Sequence, residues 1–153
     1  MNENYLAWVG SAASISNSFP FIWSLGTDHF PYKIVYSILL VLQITLVFTI
    51  PLVDESDVLF PVWVSGIMLC EGGHFTLMPN VIKKIFGSES GTALYGIAFS
   101  FSGIASILIL ILQTVILSDE PSTYVLFFYA CGVCSLISLI LLHTLFKEEK
   151  FCD

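Results

Sequence analysis

Glu71 and His74 sit three residues apart in the run Glu71-Gly72-Gly73-His74-Phe75, inside a long apolar stretch. On a helix that spacing puts both side chains on one face. A carboxylate at the centre of a membrane helix costs about 3 kcal/mol to insert, so it is normally held against protein or water. One reading is a proton-coupling pair, in which Glu71 takes up and releases the proton and His74 tunes its affinity. The other is an internal Glu–His hydrogen bond that locks this helix to a neighbour. Gly72 and Gly73 beside the pair read as a hinge or, more simply, as a close helix–helix contact.

Other side chains in the apolar stretches are suited to hydrogen bonding a solute. Tyr95, Ser100 and Ser102 fall on one stretch, Ser14 and Asn17 on another. Gln43 and Gln113 read as partners that bond one helix to the next. The sequence holds no arginine, and its lysines lie at the ends of the apolar stretches or between them. An anionic ligand would therefore need a cation from elsewhere, or His74 in its protonated form. Cys131-Gly132-Val133-Cys134 has the spacing of a redox pair, but it lies in mid-stretch with no second pair, so packing is the simpler role. No Ser/His/Asp constellation, phosphate-cradling glycine loop or metal-ligand spacing occurs, so no enzyme activity, cofactor or metal is expected.

The elements that must position these residues are membrane helices. Hydrophobic residues make up 56% of the chain and charged residues 11%, with a mean hydropathy of +0.89. Soluble domains carry roughly a quarter charged residues, so water is the wrong solvent for this sequence. The lipid bilayer is the expected partner, and nucleic acid is not, because no basic stripe exists. Five apolar stretches lie near 5–25, 34–53, 58–83, 92–117 and 124–146, each close to the length that crosses a bilayer. The fold class expected is all-α, a single polytopic helix bundle. In the first stretch Gly10, Ser14 and Ser18 recur every four residues, a small-residue stripe suited to a neighbouring helix. Asn17 and Pro20 add a polar group and a kink there. Trp8, Trp23 and Trp63 fall near the ends of stretches, as interfacial aromatics do.

Charges between the stretches alternate in sign. Lys33, then Lys83 and Lys84, then Lys147 and Lys150 mark one side; Glu3, then Asp54, Glu55 and Asp57, then Asp119 and Glu120 mark the other. The positive-inside rule then puts the N-terminus outside and the C-terminus in the cytoplasm or its organellar equivalent.

Two segments resemble a known family. Gly26, Asp28 and Lys33 match the cytoplasmic loop signature of the major facilitator superfamily. Glu71-Gly72-Gly73-His74-Phe75, Met78-Pro79, Phe86-Gly87, Gly91, Tyr95-Gly96 and Gly103 are similar to the tenth and eleventh helices of its oxalate/formate antiporter and monocarboxylate transporter-like branches. The resemblance implies a partial major facilitator fold comprising the eighth to twelfth helices. In such carriers the first and fourth stretches would face the central cavity. It also implies further transmembrane helices, from a missing half or from partner subunits, because carriers of this class rock two halves about a midplane site.

The expected function is transport of a small organic solute as the C-terminal part of a carrier, with a carboxylate and a coupled proton among the options. The alternative is a non-transporting structural subunit of a larger membrane complex built on a transporter-derived bundle.

Overall fold

The computed structural model describes residues 3–116 and 121–146. Asp119, Glu120, Lys147 and Lys150 lie outside the described residues, as does the side chain of Gln113. The described elements are helical: α1 (Glu3–Ser16), α2 (Phe21–His29), α3 (Tyr32–Thr49), α4 (Leu59–Ile116) and α5 (Pro121–Thr144), with a 3₁₀ turn at Ile50–Leu52 after α3.

The first apolar stretch, expected as one span, is two helices. The amides of Ser18 and Phe19 bond to the carbonyls three residues back, Ile15 and Ser16, so the end of α1 tightens. Pro20 brings no amide to continue the ladder, and α2 restarts from it. At 1.5 Å per residue, the 14 residues of α1 reach only about 21 Å, short of the hydrocarbon thickness. Phe30 is extended, as the residue before Pro31 must be, and Pro31 opens α3.

α4 is one element by hydrogen bonding but two by direction. Gly87 has φ 78° and ψ 168°, a conformation essentially confined to glycine. Beyond it the chain turns back on itself. The Gly91 backbone packs on that of Lys83, and the rings of Phe75 and Phe99 stand 5.8 Å apart. Residues 59–86 and 88–116 are thus the first and second arms of a helical hairpin.

α3 is the centre of the packing and touches α2, α4 and α5. Val35 and Leu39 of α3 bury against Cys70 and Leu77 of the first arm, with Trp23, Tyr36 and Leu46 around them. Glycines are the sockets that allow this approach. A methyl group on Gly73 would strike Leu39 and the Trp23 ring, and one on Gly132 would lie 2.7 Å from the Phe48 ring. On Gly66 it would lie 2.9 Å from Leu46, and on Gly72 2.7 Å from the Asn17 carboxamide. Gly72 and Gly73 therefore sit in tight helix contacts, and Gly132 packs α5 against Phe48 of α3.

The Gly10–Ser14–Ser18 stripe is corrected. All three are exposed, and nothing lies within 4 Å of a side chain added at Gly10. α1 instead packs through Val9 and Ala13. The serines of the stripe bond to their own helix, Ser14 to Gly10 and Ser18 to Ser14, a local satisfaction that needs no neighbour.

Five spans were expected; among the described residues three stretches are long and apolar enough to cross a membrane, Tyr32–Leu52, Glu89–Ile111 and Val125–Thr144. Beyond Gly91, which packs on Lys83, the stretch Glu89–Ile111 is mostly exposed.

Candidate functional site

α3 and the two arms of α4 enclose a cleft of about 240 Å³. Its polar wall is Gln43, Glu71, His74, Tyr95 and Ser102. Phe75, Met78, Ala98 and Phe99 supply the apolar wall. The reversal at Gly87 creates the site, since it lays Tyr95 and Ser102 of the second arm opposite Glu71 and His74 of the first.

His74 is fixed at both ring nitrogens. Nε2 lies 2.7 Å from Gln43 Oε1, and Nδ1 lies 2.9 Å from the Tyr36 hydroxyl. The neutral ring meets both demands with its proton on Nε2: it donates to the Gln43 carbonyl oxygen and accepts from Tyr36. Tyr36 also meets the imidazole edge-on at 5.4 Å. The expected Glu71–His74 bond does not form, because both nitrogens are taken by α3. The interhelical lock exists, but it runs from His74 to Tyr36 and Gln43.

Glu71 makes no hydrogen bond or ion pair with the described residues, and its carboxylate is exposed to the cleft. The hydroxyls of Tyr95 and Ser102 likewise make no hydrogen bond with described residues. The Tyr95 ring lies 5.9 Å from Phe99, which in turn meets Phe75, so an aromatic surface lies beside these polar groups.

The remaining candidates lie elsewhere. Ser14 and Ser100 spend their hydroxyls on the carbonyls of Gly10 and Gly96. Asn17 packs on Gly72 at the break between α1 and α2. Of the loop residues, Gly26 packs against Val35, and Lys33 Nζ donates to the carbonyls of His143 and Phe146, 3.3 and 3.1 Å away, at the end of α5. Asp28 lines a separate cleft of about 340 Å³ with Ser24, Thr27, Asn80 and Lys84. Among the described residues no cluster of His, Cys, Asp or Glu could hold a metal ion.

Sequence reasoning missed Tyr36 and the ring pair of Phe75 and Phe99. The signal for Tyr36 was available: it lies seven residues before Gln43, two turns along one face of an otherwise apolar helix.

Comparison with known proteins gives a narrow result. No family model matches the sequence, and no solved structure does. Among curated proteins the chain is similar to apicoplast pyruvate carrier 1 of Toxoplasma gondii, at 30% identity over 101 residues. The match covers 65% of this chain but only 18% of that carrier. This corrects the family expectation. The resemblance to the eighth to twelfth helices of a major facilitator carrier is not upheld, since no family model matches and the relative found is a pyruvate carrier. Gly26 and Lys33, which carried part of that likeness, pack against Val35 and bond to the end of α5 respectively. Three long apolar helices and a carrier among its relatives mark this chain as a membrane-embedded helical protein.

Proposed function

We propose that the chain forms part of a membrane carrier that moves a small organic solute, a carboxylate accompanied by a proton, through the cleft between α3 and the α4 hairpin. The observation that carries this reading is Glu71, a carboxylate with no partner among the described residues, facing a cleft within an apolar bundle. Similarity to a pyruvate carrier supports a small carboxylate as the solute. Glu71 carries the proton, and His74, bonded to Gln43 and Tyr36, keeps the first arm in register with α3. The lysine-bearing end, with Lys33 and Lys84, faces the cytoplasm or its organellar equivalent, following the positive-inside rule. Nothing in this reading calls for an enzymatic step.

The test is uptake of labelled pyruvate into vesicles carrying the full chain, with and without an inward proton gradient. Wild-type uptake is expected to rise with the gradient, and Glu71→Gln to lose that response by at least about tenfold. An unchanged gradient response in Glu71→Gln would remove Glu71 from the mechanism.

A second reading, a non-transporting subunit of a larger membrane complex, is favoured by the second arm of α4. Along it Ile97, Phe101, Ile104 and Leu108 are all more than half exposed. Co-purification of a stable 16.9 kDa product with other membrane subunits, without pyruvate uptake, would favour it.

A further inference from the structure

The cleft poses an electrostatic problem that its own residues resolve. A carboxylate ligand would ordinarily be held by arginine or lysine, yet among the described residues no lysine or arginine lines this cleft. His74 has no ring nitrogen left to offer a ligand, because Tyr36 and Gln43 occupy both. What the cleft offers is neutral donors: the hydroxyls of Tyr95 and Ser102, which bond to no described residue, and Glu71 itself once protonated. Two carboxyl groups in contact hold one proton between them in preference to two negative charges.

We infer that Glu71 binds the carboxylate of its ligand directly, through one shared proton, with the Tyr95 and Ser102 hydroxyls completing the set of donors and Phe75, Met78 and Phe99 taking a short apolar tail. The inference rests on the carrier reading above and deepens it, turning proton coupling into a condition of binding. The Glu71 O–H donates to the ligand oxygen, and no ligand is bound without that proton. A ligand of this class is a short-chain 2-oxo or unsubstituted monocarboxylate. A dicarboxylate would bring a second charge that the cleft has no group to meet.

Among the described residues the titratable groups around Glu71 are few. His74 and Cys70 share its arm, Tyr36 faces it from α3 and Tyr95 from the second arm. Of these only His74 titrates near neutrality in its ordinary state, so a glutamine at position 71 separates the two contributions.

The experiment is pyruvate binding to the purified full chain by calorimetry, between about pH 5 and about pH 8, where pyruvate itself stays ionised. Wild-type affinity is expected to fall as the pH rises, by up to about tenfold per pH unit, because binding takes up one proton. Glu71→Gln, a permanent neutral donor, is expected to bind with no such slope. Glu71→Asp should keep it, and Ser102→Ala should weaken binding several-fold at every pH without changing the slope. Retained far-ultraviolet circular dichroism certifies that each variant is folded. Wild-type binding with no slope, or the same slope in Glu71→Gln, overturns the shared proton while leaving a carboxylate carrier standing. No pyruvate binding at any pH, with tetramethylammonium bound by wild type and lost in Glu71→Gln, overturns both and makes the cleft a cation site.

Discussion

His74 is the best-determined side chain of the site, because two residues of another helix fix it at both ring nitrogens. That makes its contribution separable by mutation. Tyr36→Phe removes one donor and leaves His74 Nδ1 without its bond. Such a loss between membrane helices costs about 0.6 to 1.5 kcal/mol. His74→Ala leaves both Tyr36 and Gln43 unpaired, so its cost rises to about 1 to 3 kcal/mol. Thermal unfolding in detergent should rank them in that order, with both below wild type. An equal, negligible effect would mean that the imidazole does not couple α4 to α3. The Glu71–His74 spacing made this pair legible in the sequence, and the low charge content made Glu71 conspicuous. His74's partners were not legible. They lie 31 and 38 residues away, and only the packing of α3 on the first arm decides that an imidazole meets them rather than the carboxylate three residues behind it.

At the scale of elements, glycine position separates contacts from free surface. Gly73 and Gly10 both lie inside stretches that the sequence marks as apolar. Gly73 receives Leu39 and Trp23, whereas Gly10 faces open space. Gly73→Val should therefore destabilise the bundle by about 1 to 3 kcal/mol through overpacking. Gly10→Ala should change stability by no more than about 0.5 kcal/mol. Gly87→Ala acts differently, since nothing crowds it. Its backbone conformation is the cost, about 1 to 3 kcal/mol, and it is borne where the α4 hairpin reverses to form the cleft. A melting series on the three variants tests all of this, and a harmless Gly73→Val would disprove the socket. The stripe of Gly10, Ser14 and Ser18 shows why sequence alone misjudged α1. Small residues permit close packing but do not compel it, and serines satisfied by their own backbone can face lipid equally well. Pro20, by contrast, disrupts the ladder whatever surrounds it, so a departure from straight helix there was readable; a complete break into α1 and α2 was not.

At the scale of the whole molecule, the bundle has two chemically distinct ends. The Tyr5 hydroxyl donates to the Asp57 carbonyl, so the start of α1 lies beside the acidic loop of Asp54, Glu55 and Asp57. At the other end Lys33 reaches the last carbonyls of α5, and Lys84 shares a cleft with Asp28, Phe30 and Tyr32. The cation on Lys33 also meets the negative pole of the α5 dipole, so it secures that end as well as marking it. If the bundle sits in lipid with its long axis across the membrane, the two ends must be reachable only from opposite sides. In a background with the native cysteines replaced, Glu55→Cys and Lys84→Cys in sealed vesicles should never react with an impermeant thiol reagent from the same side. Lys84→Cys should label only after the cytoplasmic face is opened, because transfer of lysine-rich loops across the membrane is disfavoured. Labelling of both sites from one side would place 55 and 84 on a common surface, and the helices between them would then have to lie along the membrane rather than through it.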